Sequence, residues 1–190
     1  MSSTYDIRGE KVNYYMFPNK TPMEDNPLKV SYIPQSVYDT IWRISNNDSI
    51  TIPYRVEGIR AEDSYLSQLI ADDKMAHLCY LTRNQNGFIR FNALDEILNL
   101  TDKQKWVYPY VLKLCDEYVV EILERIYDTL PQMLNLQFVD VIRLNMSNIK
   151  RGYARMVSYW NAYYRKDIPD IENYVGYKIY KTLIDAKTQP

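Results

Sequence analysis

In the second half of the chain the apolar residues recur with the period of an α-helix, and no other feature constrains the fold as strongly. Val111, Cys115, Tyr118, Val119, Ile122, Leu123 and Ile126 fall at i, i+3, i+4 and i+7 spacing, which predicts one helix over about 109–130, stopped by Pro131. A second run through Phe138, Ile142, Met146, Ile149, Tyr153, Met156 and Trp160 predicts another, closed by Ile168-Pro169-Asp170. Gly152 inside that run marks a break or a close helix contact. A last short helix is expected from Tyr174 to Ile184.

The first half reads as shorter pieces. Leu28 to Ile33 has the look of a strand, and a helix opening at Pro34 carries Val37, Tyr38, Ile41, Trp42 and Ile44. Ile50 to Val56 alternates as an edge strand limited by Pro53. After Gly58, Tyr65, Leu66, Leu69 and Ile70 mark a helix starting near Ala61. Met75 to Thr82 satisfies both helix and strand patterns. Asn86-Gly87 signals a turn, Phe88 to Phe91 a brief extended piece, and Leu94 to Leu98 a short helix. Thr101 and Gln104 have capping-box spacing, so a new helix is expected to open there.

The fold expectation is therefore mainly α. It is a helical bundle-like domain of two long C-terminal helices plus shorter ones, with a small irregular β portion in the N-terminal half. Residues 1–27, punctuated by Pro18, Pro22 and Pro27, are expected to form an extended arm ahead of one domain over 28–190, mixed over 28–100 and helical over 101–190. Tyr14, Tyr15 and Phe17 make the arm too apolar for a free tail, so it is expected to dock on this protein or on a neighbouring subunit.

Composition narrows the function classes. Hydrophobic residues are 46% and charged residues 25%, the balance of a folded chain. A net charge of −1 means that attraction to nucleic acid or membrane needs a local patch. Nineteen tyrosines against four phenylalanines favour half-buried positions and interfaces, where a ring is covered and a hydroxyl stays in reach of a partner. Cys79 and Cys115 both sit among apolar neighbours and are too few for a disulfide scaffold. No charged-then-apolar leader opens the sequence and no apolar run reaches the ~18 residues of a membrane span. Together these predict a reducing, cytoplasmic location, where the Asn-x-Ser/Thr sequons at Asn19, Asn47, Asn99 and Asn145 are chance matches.

Catalytic signatures are incomplete. His77 is the single histidine, which excludes zinc sites needing two, and Cys79 two positions on does not make a metal centre. Aligning Gly87 with the glycine of a calcium loop puts Thr82 and Ala93 where carboxylates are required. No phosphate-binding glycine motif and no G-x-S-x-G elbow occurs. Neither a metal nor a cofactor is expected. Asp116, Glu117, Glu121, Glu124 and Asp128 give an acidic face, with Glu117, Glu121 and Glu124 at i, i+4 and i+7. It reads as a solvated helix face, as partners for the cations of the next helix, or as the carboxylates of an enzyme pocket.

Those cations form the other conspicuous feature. Arg143 to Lys166 holds Arg143, Lys150, Arg151, Arg155, Arg165 and Lys166 without one acidic residue, interleaved with Tyr153, Tyr159, Trp160, Tyr163 and Tyr164. On a helical projection Tyr153, Trp160 and Tyr164 turn to the core, while Arg151, Arg155 and Arg165 line a basic ridge. An ordinary amphipathic helix would place its charges the same way. The functional expectation is a non-catalytic interaction or assembly module, meeting a protein partner or a second copy through Tyr14, Tyr15, Phe17, Arg151, Arg155, Tyr159, Tyr163 and Arg165. The alternatives are nucleic-acid binding through the ridge and an enzyme using the 116–128 carboxylates. No association with a membrane is expected.

Overall fold

The computed structural model describes residues 39–56 and 71–187. The expected arm with Tyr14, Tyr15 and Phe17, the 28–33 strand and the helix near Ala61 lie outside them. Among the described residues the protein is mainly helical, with seven α-helices and one two-stranded antiparallel sheet in the N-terminal half.

The sheet pairs β1 (Thr40–Arg43) with β2 (Ser49–Ile52), setting Thr40 against Ile52 and Arg43 against Ser49. Here the helix expected through Ile41, Trp42 and Ile44 gives way to a strand. Trp42 and Ile44 are buried while Ile41 and Arg43 are exposed, the two-residue alternation of a half-covered sheet. Ile44 N–H donates to Asp48 O at 2.9 Å to close the turn. Pro53, which has no N–H to give a ladder, follows β2 directly.

Helix α1 (Ala71–Leu81) packs on α2 (Gly87–Asn99). The helix alternative over Met75–Thr82 is the one realised, and Phe88 to Phe91 belong to α2 rather than to an extended piece. Asn86, in the expected turn, caps α2: its Oδ1 accepts from Phe88 N–H at 2.9 Å. A short 3₁₀ turn (Lys105–Val107) leads into α3 (Tyr108–Leu114), so the chain stays irregular where a helix from Thr101 was expected.

Each of the two long periodic runs is two helices. The first divides into α3 and α4 (Val120–Met133), separated by Cys115 to Val119. The second divides at Asn145 into α5 (Leu136–Leu144) and α6 (Met146–Tyr159). Pro131 does not stop α4, which runs on to Met133 and forgoes one i to i−4 backbone bond at the proline. Beyond α6 a π-helical turn (Trp160–Tyr164) is closed by Arg165 N–H donating to Trp160 O at 2.8 Å. Helix α7 (Val175–Ala186) completes the described residues and packs on α4 and α6.

The core sits where these helices meet. Leu78, Leu94, Ile97, Val111, Ile122, Ile126, Ile142, Ile179 and Leu183 are all sealed from solvent. Gly152 is not a break, since α6 runs through it, but a close contact with α7. No helix among the described residues is long and apolar enough to cross a membrane.

Candidate functional site

A break in the helical pattern builds a buried cluster of charge. Where α3 ends, Cys115 and Glu117 N–H groups reach back only three residues, to Leu112 and Leu114 O. That tighter turn swings Asp116 and Glu117 inward. Glu117 thereby leaves the exposed acidic face, on which Glu121, Glu124 and Asp128 remain.

Glu117 is 2% exposed and meets three guanidinium groups. Arg90 Nη2 donates to Glu117 Oε2 at 2.9 Å, Arg55 Nη2 lies 3.0 Å from Oε1, and Arg83 Nη1 lies 3.8 Å from Oε1. Backbone carbonyls take further donors. Arg83 reaches Pro53 O at 3.1 Å and Tyr54 O at 2.7 Å, and Arg90 reaches Asn84 O and Gln85 O at 2.9 Å each. One carboxylate thus ties the segment after β2 to the α1–α2 turn, to α2 and to the α3–α4 connection. Burial lowers the Arg83 pKa to about 10, with Glu117 acting in the opposite direction.

Asp116 forms the second half of the cluster. Its Oδ2 accepts from Arg155 Nη1 at 2.5 Å and lies 3.5 Å from Lys113 Nζ. Lys113 is 3% exposed, and desolvation lowers its pKa to about 8, with Asp116 opposing and Arg83 and Arg155 adding to the fall. A cavity of about 120 Å³ opens beside this pair, bordered by Lys113, Asp116, Asn148, Arg151, Arg155 and Tyr180 among others.

Of the expected basic ridge, Arg155 is half-buried and spent on Asp116. Arg151 is exposed and donates to Asn148 Oδ1. Arg165 is exposed, donates to Asn161 Oδ1 at 2.9 Å and lies 5.6 Å over the Trp160 ring. Pairing between the acidic and basic runs does occur, but through Arg155 and Asp116 rather than through Arg143, Lys150 or Arg151. Arg143 instead turns toward the C-terminal end, donating to Lys187 O at 3.3 Å.

The aromatic residues divide as the helical projection predicts. Tyr153, Trp160 and Tyr164 pack against the core, and Tyr164 stacks on Tyr174 with ring centroids 5.2 Å apart. Tyr159 and Tyr163 face outward with Tyr118, at centroid distances of 5.8, 6.2 and 6.2 Å. Tyr118 is 46% and Tyr163 62% exposed, whereas Tyr110, Tyr174 and Tyr180 are sealed. Tyr164 Oη donates to Tyr118 O, fixing the cluster to the α3–α4 connection.

Neither cysteine is poised for chemistry, since both are buried and burial raises both thiol pKa values. His77 is 3% exposed on α1, and no group of three metal-ligating side chains occurs among the described residues. Sequence reasoning missed Arg55, Arg83, Arg90 and Lys113 as site residues. For Arg90 a signal was available, a cation set between the apolar Ile89 and Phe91. The chain matches no known family model, and comparison with curated proteins and with solved structures finds no similar one.

Proposed function

We propose that the protein is a non-catalytic assembly module whose exposed face of Tyr118, Tyr159 and Tyr163 receives a second copy of the same chain. The carrying observation is that cluster: three rings in mutual contact, with Tyr118 46% and Tyr163 62% exposed, where most large apolar side chains among the described residues are buried. Tyrosine clusters of this kind supply contact area with little side-chain entropy to lose.

The charges around the rings favour self-association over a foreign partner. Tyr118 stands at the start of α4, whose exposed residues include Glu121, Glu124 and Asp128. Tyr159 and Tyr163 stand at the end of α6 and in the π turn, beside exposed Arg165 and Lys166. A two-fold axis through the rings would set the acidic row of one copy against the basic residues of the other, the self-complementary arrangement an isologous interface needs. The arm residues Tyr14, Tyr15 and Phe17 belong to this reading as a second contact, argued from their sequence.

Sedimentation equilibrium tests it. The full chain is expected to form a dimer that Tyr163→Ser dissociates, that Arg165→Glu weakens, and that adding Glu121→Lys to Arg165→Glu restores. A wild-type chain that stays monomeric at every accessible concentration ends the proposal. If that monomer instead binds single-stranded nucleic acid with a steep salt dependence lost in Arg151→Glu and Arg165→Glu, the nucleic-acid reading replaces it. Deleting residues 1–27 assigns the contact: a dimer lost with the arm and indifferent to Tyr163 places assembly there instead.

A further inference from the structure

The buried cluster holds more positive than negative charge. Among the described residues Arg55, Arg83, Arg90, Lys113 and Arg155 are set against Asp116 and Glu117, with Asp39 and the exposed Arg151 bordering the adjoining cavity. Arg83 and Arg90 are fully buried and Lys113 nearly so. A protein interior tolerates a charge that is paired and hydrogen-bonded, and an unmatched one is strongly unfavourable. Arg83 and Arg90 are furnished with backbone carbonyls, which occupy several of their donors but carry no full charge.

Lys113 is worse served. Its ammonium has three donors, and among the described residues its one hydrogen bond is the 3.5 Å contact with Asp116 Oδ2. That same oxygen is already engaged by Arg155 at the shorter distance of 2.5 Å. Lys113 therefore borders the cavity with donor capacity unused. Arg151 borders it too from the exposed side, and Asn148, whose Nδ2 donates to Ile41 O at 2.8 Å, holds part of its wall to β1. At about 120 Å³ the space admits a few waters or one small oxyanion.

We propose that this cavity is a binding site for a small oxyanion of phosphate, sulfate or short-carboxylate size, held by Lys113, Arg151 and Arg155. The anion would give Lys113 its missing acceptor and would offset the surplus of buried cations. Arg155 would bridge it to Asp116, and the exposed Arg151 would admit it and close over it. The site is independent of the tyrosine face, so either reading can fail without the other.

The experiment is thermal unfolding of the full chain, with calorimetric titration, in sodium phosphate, sulfate, acetate or formate against sodium chloride of matched ionic strength. A saturable rise in Tm and a matching binding isotherm are expected for at least one oxyanion. Lys113→Met, close in shape and without charge, is expected to abolish the saturable shift. Arg151→Gln, at an exposed position that leaves the fold intact, is expected to weaken binding about tenfold. A response to phosphate and sulfate identifies a tetrahedral ligand such as a phosphoryl group, and a response to acetate or formate identifies a carboxylate. No saturable shift with any of these anions overturns the proposal, as does a shift in both variants equal to that of the wild-type chain.

Discussion

The hydroxyl of Tyr180 occupies the space that a side chain at position 152 would need: a Cβ built on Gly152 would lie 2.2 Å from Tyr180 Oη and 3.2 Å from Cζ. Both residues border the cavity beside Lys113, so this contact between α6 and α7 also sets the wall of the candidate site. Gly152→Ala forces the ring or the helices to move and is expected to destabilise by about 1–3 kcal/mol. Tyr180→Phe removes the clashing oxygen and is expected to recover much of that loss in the double variant. A double-mutant cycle from urea unfolding measures the coupling, and strictly additive effects would show that the clash is absorbed elsewhere.

Glu117 joins three segments through buried guanidinium groups, and its removal should be felt across all of them. Glu117→Gln keeps the shape but leaves Arg83 and Arg90 buried without a counter-charge. Breaking a buried pair from one side is strongly destabilising, so a loss of about 3–5 kcal/mol is expected. Arg55→Gln removes the partly exposed member of the cluster and should be far milder, because Arg83 and Arg90 still hold the carboxylate. Equal losses in the two variants would mean that Glu117 acts through packing rather than through charge.

Asn145 ties the small sheet to the helices. Its Oδ1 accepts from Arg43 N–H at 2.8 Å, and its Nδ2 donates to Arg43 O and to Val141 O at 2.8 Å each. The side chain is 2% exposed, so the sequon it heads is closed to modification in the folded protein. Asn145→Ala leaves the Arg43 groups without their partner and is expected to cost about 1–3 kcal/mol. Amide hydrogen exchange locates the effect: β1 should lose protection before α5 and α6 do.

The same residue shows where the sequence stops being informative. The helical period was legible through 111–160 because apolar stripes must face a core, and the structure keeps those faces except at Tyr118, which turns to solvent. The breaks at 115–119 and 145 were not legible, because each is made by a partner distant in sequence: Arg55, Arg83 and Arg90 for Glu117, and Arg43 for Asn145. Ile41, Trp42 and Ile44 fit a helix as well as a strand until Ile50 and Ile52 are placed beside them. The inward turn of Tyr153, Trp160 and Tyr164 followed from helical geometry alone. That Arg155 would be drawn to Asp116 required knowing that the acidic run leaves its helix.

Lys113 makes stability depend on pH in a direction unusual for a paired lysine. Its pKa in the folded protein is about 8, below the ordinary 10.5, because burial disfavours the charged form more than Asp116 favours it, with Arg83 and Arg155 facing it as well. Between those values the unfolded chain binds more protons than the folded one, so stability rises with pH. The full penalty, on the order of 3 kcal/mol, applies below about pH 8 and is relieved on climbing toward the unfolded value. Cys79 and Cys115 act oppositely, since burial raises their folded pKa values above 9.0 and their unfolded thiols ionise first. In chloride buffer the wild-type stability is therefore expected to rise from about pH 8 to about pH 9 and then to level off or fall as the unfolded thiols ionise. Lys113→Met should lose the rise and keep the fall. Urea unfolding across that range reads both, and parallel pH profiles for the two proteins would show that the buried lysine carries no such penalty.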